Sequence, residues 1–457
     1  MSQAIGVTAS RKGLSRDDVK SLTDRVLSFA KADQTRVGVN SGVSEFTRTA
    51  MNRVTTSGST ADVVVRVTSA FGRRVASIET NRLDAESLEK AVRDAEALAR
   101  LSPENPEYLP EPSGQTYLDV SGYYTSTGNL TTEDRGRAAS LVLERATAAK
   151  TIAAGYIDVS AGARAVANST GLFAYHASTG VASTLTVRTP DGSSSGWAGD
   201  EGADWTTIES ERIATDALAK CEAWRGRSEL DPGTYEAVLE PTAVGMLMSR
   251  TMGAFDARSA DEGRSYFSKR GGGTLLGEKV FDERITIKSD PAFANGETAP
   301  FSQLGEATGA ETWVENGVLR NLAYSRFWAQ RQKVASKPGM SNFIMQGTDT
   351  PLAGLIGAVK RGVLITRFWY IRPLNPRMLA MTGITRDGTF LIENGRISRP
   401  LTNFRFNESL GDLLRNVEML GRPTRVCASE NSSVGPPIIV PALKVRAFNL
   451  ASVSDAI

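Results

Sequence analysis

A single histidine, His176, stands in this 457-residue chain, and its two cysteines, Cys221 and Cys427, are far apart with no CxxC pair. A zinc helix of the HExxH type needs two imidazoles, and a Ser-His-Asp or Cys-His site needs one held by a third group. The familiar metalloprotease helix is therefore excluded. His176 lies in Leu-Phe-Ala-Tyr-His-Ala, a period-two run bounded by Gly171 and Gly180, and reads as a strand histidine before a catalytic one. Cys221 follows Ala214, Ala217 and Leu218 at helical spacing, the pattern of a small core hydrophobe. Arg270-Gly271-Gly272-Gly273-Thr274 lacks phosphate-loop spacing and reads as a plain loop.

A second candidate is electrostatic. Between Asn316 and Arg386 eleven basic residues face one acid, Asp349, although the whole chain carries only +2. The segment interleaves aromatics with its cations, and Arg326, Arg331, Arg367, Phe368, Trp369 and Tyr370 are its candidate substrate- or partner-binding residues. The competing reading is that these arginines pair with carboxylates from the acidic remainder while the aromatics fill the core.

The elements that must position such residues are legible in part. Ser15 with Asp18, and Thr131 with Asp134, have capping-box spacing ahead of apolar stripes, and Asp84 can cap a third helix. Alternating runs between Arg36 and Thr80 and from Ile152 to about Val187 predict strands. Residues 102–114, with four prolines, predict a linker, and Asp231-Pro232-Gly233 a second boundary. The domains expected are thus 1–110, 115–225 and 226–457. In the last, Glu315-Asn316-Gly317-Val318 and Glu393-Asn394-Gly395-Arg396 predict two tight hairpins, and Leu410 to Leu420 a final helix.

Several stretches together resemble the TldD/PmbA family: Val166-Ala167-Asn168-Ser169 with Gly171; Leu276-Gly277; Ile285-Thr286-Ile287 through Asp290-Pro291; the two Glu-Asn-Gly turns; and Asn403-Phe404-Arg405-Phe406-Asn407 with Asn416 and Gly421. The resemblance implies an α+β fold, with an N-terminal α/β domain and a central domain followed by a β-rich C-terminal domain. In TldD-like chains an HExxxH helix and a C-terminal cysteine hold zinc. Here an ungapped placement puts Ser249 and Ala254 in the histidine slots, Arg250 in the glutamate slot and Cys427 near the third-ligand slot. That pattern is similar to the PmbA/TldE-like branch. It also departs from the family's Phe-Asp-x-Glu-Gly run, with Phe301-Ser302-Gln303-Leu304-Gly305 in that place.

The resemblance implies no catalytic residue, metal or cofactor in this chain. It implies a heterodimer with a TldD-like metalloprotease subunit that carries the zinc, and a shared unfolded-peptide substrate. The alternative is a stand-alone homodimeric protein that binds peptide or, less favoured, nucleic acid. The first twenty residues show no apolar run of the kind a secretory signal needs, and the densest apolar stretch, Gly354 to Ile365, is broken by Lys360 and Arg361. A cytoplasmic protein without membrane partners is expected.

Overall fold

Ser15 and Thr131 each accept a hydrogen bond from the N–H three residues on, and the Asp18 and Asp134 carboxylates accept in return from the cap N–H groups. These capping boxes start two units of the same element order in the computed structural model, which describes residues 13–431 and 433–454. The first twelve residues, over which the signal-segment expectation partly falls, lie outside the described residues. The first unit is α1 (Arg16–Ser28), β1 (Gln34–Ala50), β2 (Arg53–Phe71), β3 (Arg74–Thr80) and α2 (Ala85–Leu101). After the one-turn α3 (Thr125–Gly128) come α4 (Thr132–Ala148), β4 (Ile152–Asn168), β5 (Phe173–Arg188), β6 (Ser195–Gly202) and α5 (Ser210–Ala223).

The two units share one six-stranded sheet, ordered β3-β2-β1-β4-β5-β6, in which β1 pairs antiparallel with β4 from Arg36↔Asn168 to Thr49↔Gly155. The proline-rich run 102–114 therefore links two halves of a continuous sheet, and the boundary expected there does not interrupt the strand pairing. Side chains of a strand alternate between faces. Val37, Val39, Val65 and Val67 go under α1 and α2, and Ile157, Val159, Val181 and Leu185 under α4 and α5. Arg135 of α4 reaches the same face of β1, where it forms a buried ion pair with Glu45. The family-type run Val166 to Gly171 has a structural use: buried Asn168 accepts from Leu172 and Thr170 N–H and donates to the Pro112 carbonyl, while Gly171 takes φ +90°.

Past Asp231-Pro232-Gly233 the chain is mostly sheet. Its strands are β7 (Gly233–Leu239), β8 (Ile287–Ser289), β9 (Glu311–Glu315), β10 (Val318–Leu319), β11 (Phe343–Met345), β12 (Arg361–Ile365), β13 (Phe368–Asn375), β14 (Ala380–Thr385), β15 (Thr389–Glu393), β16 (Arg396–Pro400), β17 (Asn403–Ser409), β18 (Val417–Leu420), β19 (Thr424–Arg425), β20 (Ile438–Val440) and β21 (Leu443–Ser454). The intervening helices are α6 (Pro241–Met248), α7 (Ala257–Asp261), α8 (Arg326–Gln332), α9 (Leu352–Gly357) and α10 (Leu410–Arg415). A nine-stranded sheet runs β13-β14-β17-β21-β7-β12-β15-β16 with β18 on β21, and a six-stranded sheet runs β10-β9-β8-β11-β20-β19. Both expected hairpins form. Asn316 and Asn394 adopt φ of 48° and 51°, each followed by a positive-φ glycine, as a two-residue turn of this hand requires.

The final helix is shorter than expected. Ser409 caps it and it ends at Arg415, after which Val417 to Leu420 pair with β21, because the apolar periodicity of Leu413, Leu414, Val417 and Leu420 also serves a strand buried by its neighbours. The C-terminal domain meets the helix-free face of the first sheet. Phe301 packs on Val166, Leu172 and Ala174, and Cys427 on Ala182 and Trp197. Among the described residues no helix is long and apolar enough to cross a membrane.

Candidate functional site

Strand β7 delivers the chain to α6, where Pro241 occupies the first turn, a position at which its missing N–H is not needed. The helix is buried from Ala243 to Met248 and stops there. The Ser249 hydroxyl donates to the Met246 carbonyl at 3.0 Å and Thr251 to Met248 at 2.8 Å, turning the chain out of the helix. The expectation of one helix bearing Ser249, Arg250 and Ala254 is thus corrected: Ser249 is its C-cap, Arg250 lies in a turn, and Ala254 sits in the 3-10 segment Met252–Phe255.

Arg250 turns toward Glu430, with Nη2 to carboxylate oxygen at 3.1 Å. Glu430 also accepts from Arg372 at 3.3 Å and from the Ile371 N–H at 2.7 Å, so one carboxylate joins two guanidiniums and the β13 backbone. These side chains, with Ser249, Glu201 and Ser429, line a cleft of about 430 Å³ between the two domains. Zinc demands several anionic or imidazole donors with an open position. Among the described residues of this cleft, Glu430 is bridged by two cations, and the degenerate motif offers a hydroxyl, a guanidinium and a methyl group. The residues do not fit zinc.

Cys427, the remaining candidate ligand, is buried against Ala182 and Trp197. Burial, reinforced by the charge of Glu201, pushes its thiol up to about 12, whereas a zinc ligand must be a thiolate. Among the described residues no three His, Cys, Asp or Glu side chains converge. Glu201 itself pairs with Arg425 at 3.3 Å, yet burial outweighs that attraction and raises its carboxyl to about 7. Sequence reasoning missed Glu201 and Glu430; Glu201 follows Asp200 in a Gly-rich run and Glu430 stands in a Ser-rich one, and only the tertiary fold brings them to Arg425 and Arg250.

The six basic and aromatic candidates do not form one surface. Arg326 opens α8 and donates to the Pro110 carbonyl at 2.6 Å, and Arg331 lies over the Trp328 ring at 5.0 Å. Arg367 and Phe368 are buried in a different place. Arg367 pairs with Asp387 at 3.3 Å between the faces of Trp197 and Trp369, and burial holds its guanidinium below its usual value. Phe368 packs on Phe406 and Phe448. Tyr370 alone of the six is a largely exposed aromatic, at φ +55°, with Arg372 over its ring at 4.0 Å. Arg320 pairs with Glu315, Lys337 with Glu311 and Arg372 with Glu430, so much of the local +10 is balanced by acids of the C-terminal domain.

Residues 232–451 match the family model described as PmbA/TldA metallopeptidase C-terminal domain. A protein named Metalloprotease from Archaeoglobus fulgidus is 27% identical over 203 residues, 44% of this chain and 43% of that one. Metalloprotease PmbA of Escherichia coli O157:H7 is 22% identical over 176 residues, 37% of each chain. The matched part thus spans less than half the length of these relatives. Two solved structures share the fold across nearly the full chain. TldE from Thermococcus kodakarensis superposes with a TM-score of 0.83 at 17% identity, covering 95% of this chain and 100% of its own. A Thermotoga maritima protein described as a modulator of DNA gyrase gives 0.82 at 18%, covering 94% and 99%. Residues 232–451 thus belong to the PmbA/TldA metallopeptidase C-terminal domain family, and the full chain shares the α+β fold of the solved TldE and gyrase-modulator structures.

Proposed function

We propose that this chain is a non-catalytic, TldE-like subunit that pairs in the cytoplasm with a zinc-bearing TldD-like chain and helps hold unfolded peptides for that partner to cut. The observation that carries the reading is Arg250 bridged to Glu430 in the cleft where a TldD-like chain needs the glutamate of its zinc helix. A fixed guanidinium repels a divalent cation, and at 4 Å two unit charges interact by about 4 kcal/mol at an effective dielectric constant of 20, more for a divalent ion. Ser249, Ala254 and the sealed Cys427 add no compensating donor set. The likeness to a solved TldE supports the same assignment at the level of fold. Zinc and hydrolysis then belong to the partner, and this chain contributes binding surface. Zinc titration of the purified chain tests the metal half of the proposal. No stoichiometric binding is expected, and one tightly held zinc per chain with EDTA-sensitive cleavage contradicts it.

A further inference from the structure

The helix-free face of the first sheet carries an arginine with which no carboxylate among the described residues pairs. Arg164 of β4 is half-buried, its guanidinium makes no hydrogen bond or ion pair to any described residue, and its Nη2 is sealed from solvent without a partner. Burial lowers its affinity for the proton, with no carboxylate offsetting the effect. An unpaired buried cation is costly, and native proteins keep one where a ligand supplies the counter-charge.

The surroundings form a site. Register places Asn40, Arg164 and His176 in one row across β1, β4 and β5, Gly42, Gly162 and Ser178 in the next, and Ser44, Ser160 and Gly180 in the third. All lie on the same face. Gly42 faces Gly162 where the strands approach so closely that a Cβ on Gly162 would overlap the Ser41 carbonyl oxygen. The result is a trough of about 410 Å³ floored by glycine and bordered by the hydroxyls of Ser44, Thr60, Ser160 and Ser178, with Asp62 at its outer side on β2. From the C-terminal domain, the Phe301 ring sits 5.3 Å from the Arg164 guanidinium carbon. His176, 5% exposed, stands beside Arg164 with Nε2 unpartnered.

We propose that this trough is a carboxylate-binding subsite for an extended peptide, in which Arg164 receives either an acidic side chain or the C-terminal carboxylate. Only the ligand's class, peptide, rests on the function proposed above. The guanidinium fork matches a carboxylate bidentately, and the flat glycine floor admits a peptide backbone.

Fluorescence anisotropy on the full chain tests this with labelled octapeptides of alternating Ser and Val in three forms: one internal Glu with an amidated end, no Glu with a free C-terminus, and no Glu with an amidated end. At least one carboxylate form should bind, and Arg164→Gln should weaken it about ten- to a hundred-fold, the worth of a charge-assisted pair, without moving the neutral peptide. Which form loses affinity tells side chain from terminus. Ser178→Asp, at an exposed position, should mimic the loss by supplying an internal carboxylate, so a folding defect in one variant cannot decide the matter. Equal binding of all three forms, an unchanged Arg164→Gln, or no binding of either carboxylate form overturns the subsite. Equal binding of all three leaves the peptide-holding role standing while this site falls.

Discussion

Glu201 offers the most discriminating perturbation, because two physical effects on it have opposite signs. Its ion pair with Arg425 favours the carboxylate, whereas its burial at the domain junction favours the neutral acid, and burial prevails, at about 7 against an ordinary 4.5. The folded state therefore holds a proton that the unfolded chain releases earlier. Stability from this group is fully present below about pH 4.5 and is lost as pH rises to about 7, by roughly 3 kcal/mol in all at ~1.4 kcal/mol per pH unit. Glu201→Gln mimics the neutral acid and should remove that loss. Thermal melts of the variant and the parent from pH 5 to pH 8 read the difference directly, and subtraction cancels Glu408, whose carboxyl burial also lifts to about 7. The variant should match the parent near pH 5 and exceed it at pH 8 by a few kcal/mol, a shift on the order of 5 °C. If the Arg425 pair instead dominates, the variant will be less stable at pH 8 by about 3–5 kcal/mol, the cost of stranding a buried guanidinium, and the reasoning fails.

Other outcomes follow from the same geometry. Arg135→Ala removes the guanidinium that answers the buried Glu45 charge and should lower unfolding free energy by about 3 kcal/mol in urea titration, more than Arg66→Ala, which breaks an exposed pair worth under about 1 kcal/mol. Neither Cys221 nor Cys427 should react with maleimide in the native protein at pH 7.5, since burial raises both thiols, and both should react after unfolding; rapid native labelling of Cys427 would show the cleft opens. Cys427→Ser should leave peptidase activity of a reconstituted complex within a few-fold. Glu430→Ala, which removes the acceptor of the Ile371 N–H, should free the β13 backbone there and speed proteolysis around Tyr370 to Met378, whereas an unchanged digestion pattern would show that the Arg250–Glu430–Arg372 bridge does not hold this segment.

What the sequence made legible was local chemistry. Ser15, Thr131 and Asp84 announce helix starts because a cap needs only one side chain and an N–H three residues away, and Asn316-Gly317 and Asn394-Gly395 announce turns because few residues accept positive φ. The shared sheet was not legible: β1 and β4 pair across roughly 120 positions, and nothing in either strand names its partner. The same limit hid the cleft. Arg250 is visible as the residue in the glutamate slot, but its partner Glu430 lies 180 positions on, and the counter-charges of Arg367 and Arg372 are reached only through the fold. Segment charge counted along the chain could not tell an exposed field from pairs closed in space, so Arg367 and Phe368 read as a surface and are core.

The central claim is that hydrolysis, where it occurs, belongs to a second chain. Affinity purification of this protein at native level from its own host, with zinc determination and a peptide-cleavage assay on each size-exclusion fraction, tests it most directly. The account predicts zinc and EDTA-sensitive cleavage only in fractions that contain a second, TldD-like chain, with the lone protein inert. Zinc and cleavage co-eluting with this chain alone, or a homodimer that never recruits another subunit, would contradict it.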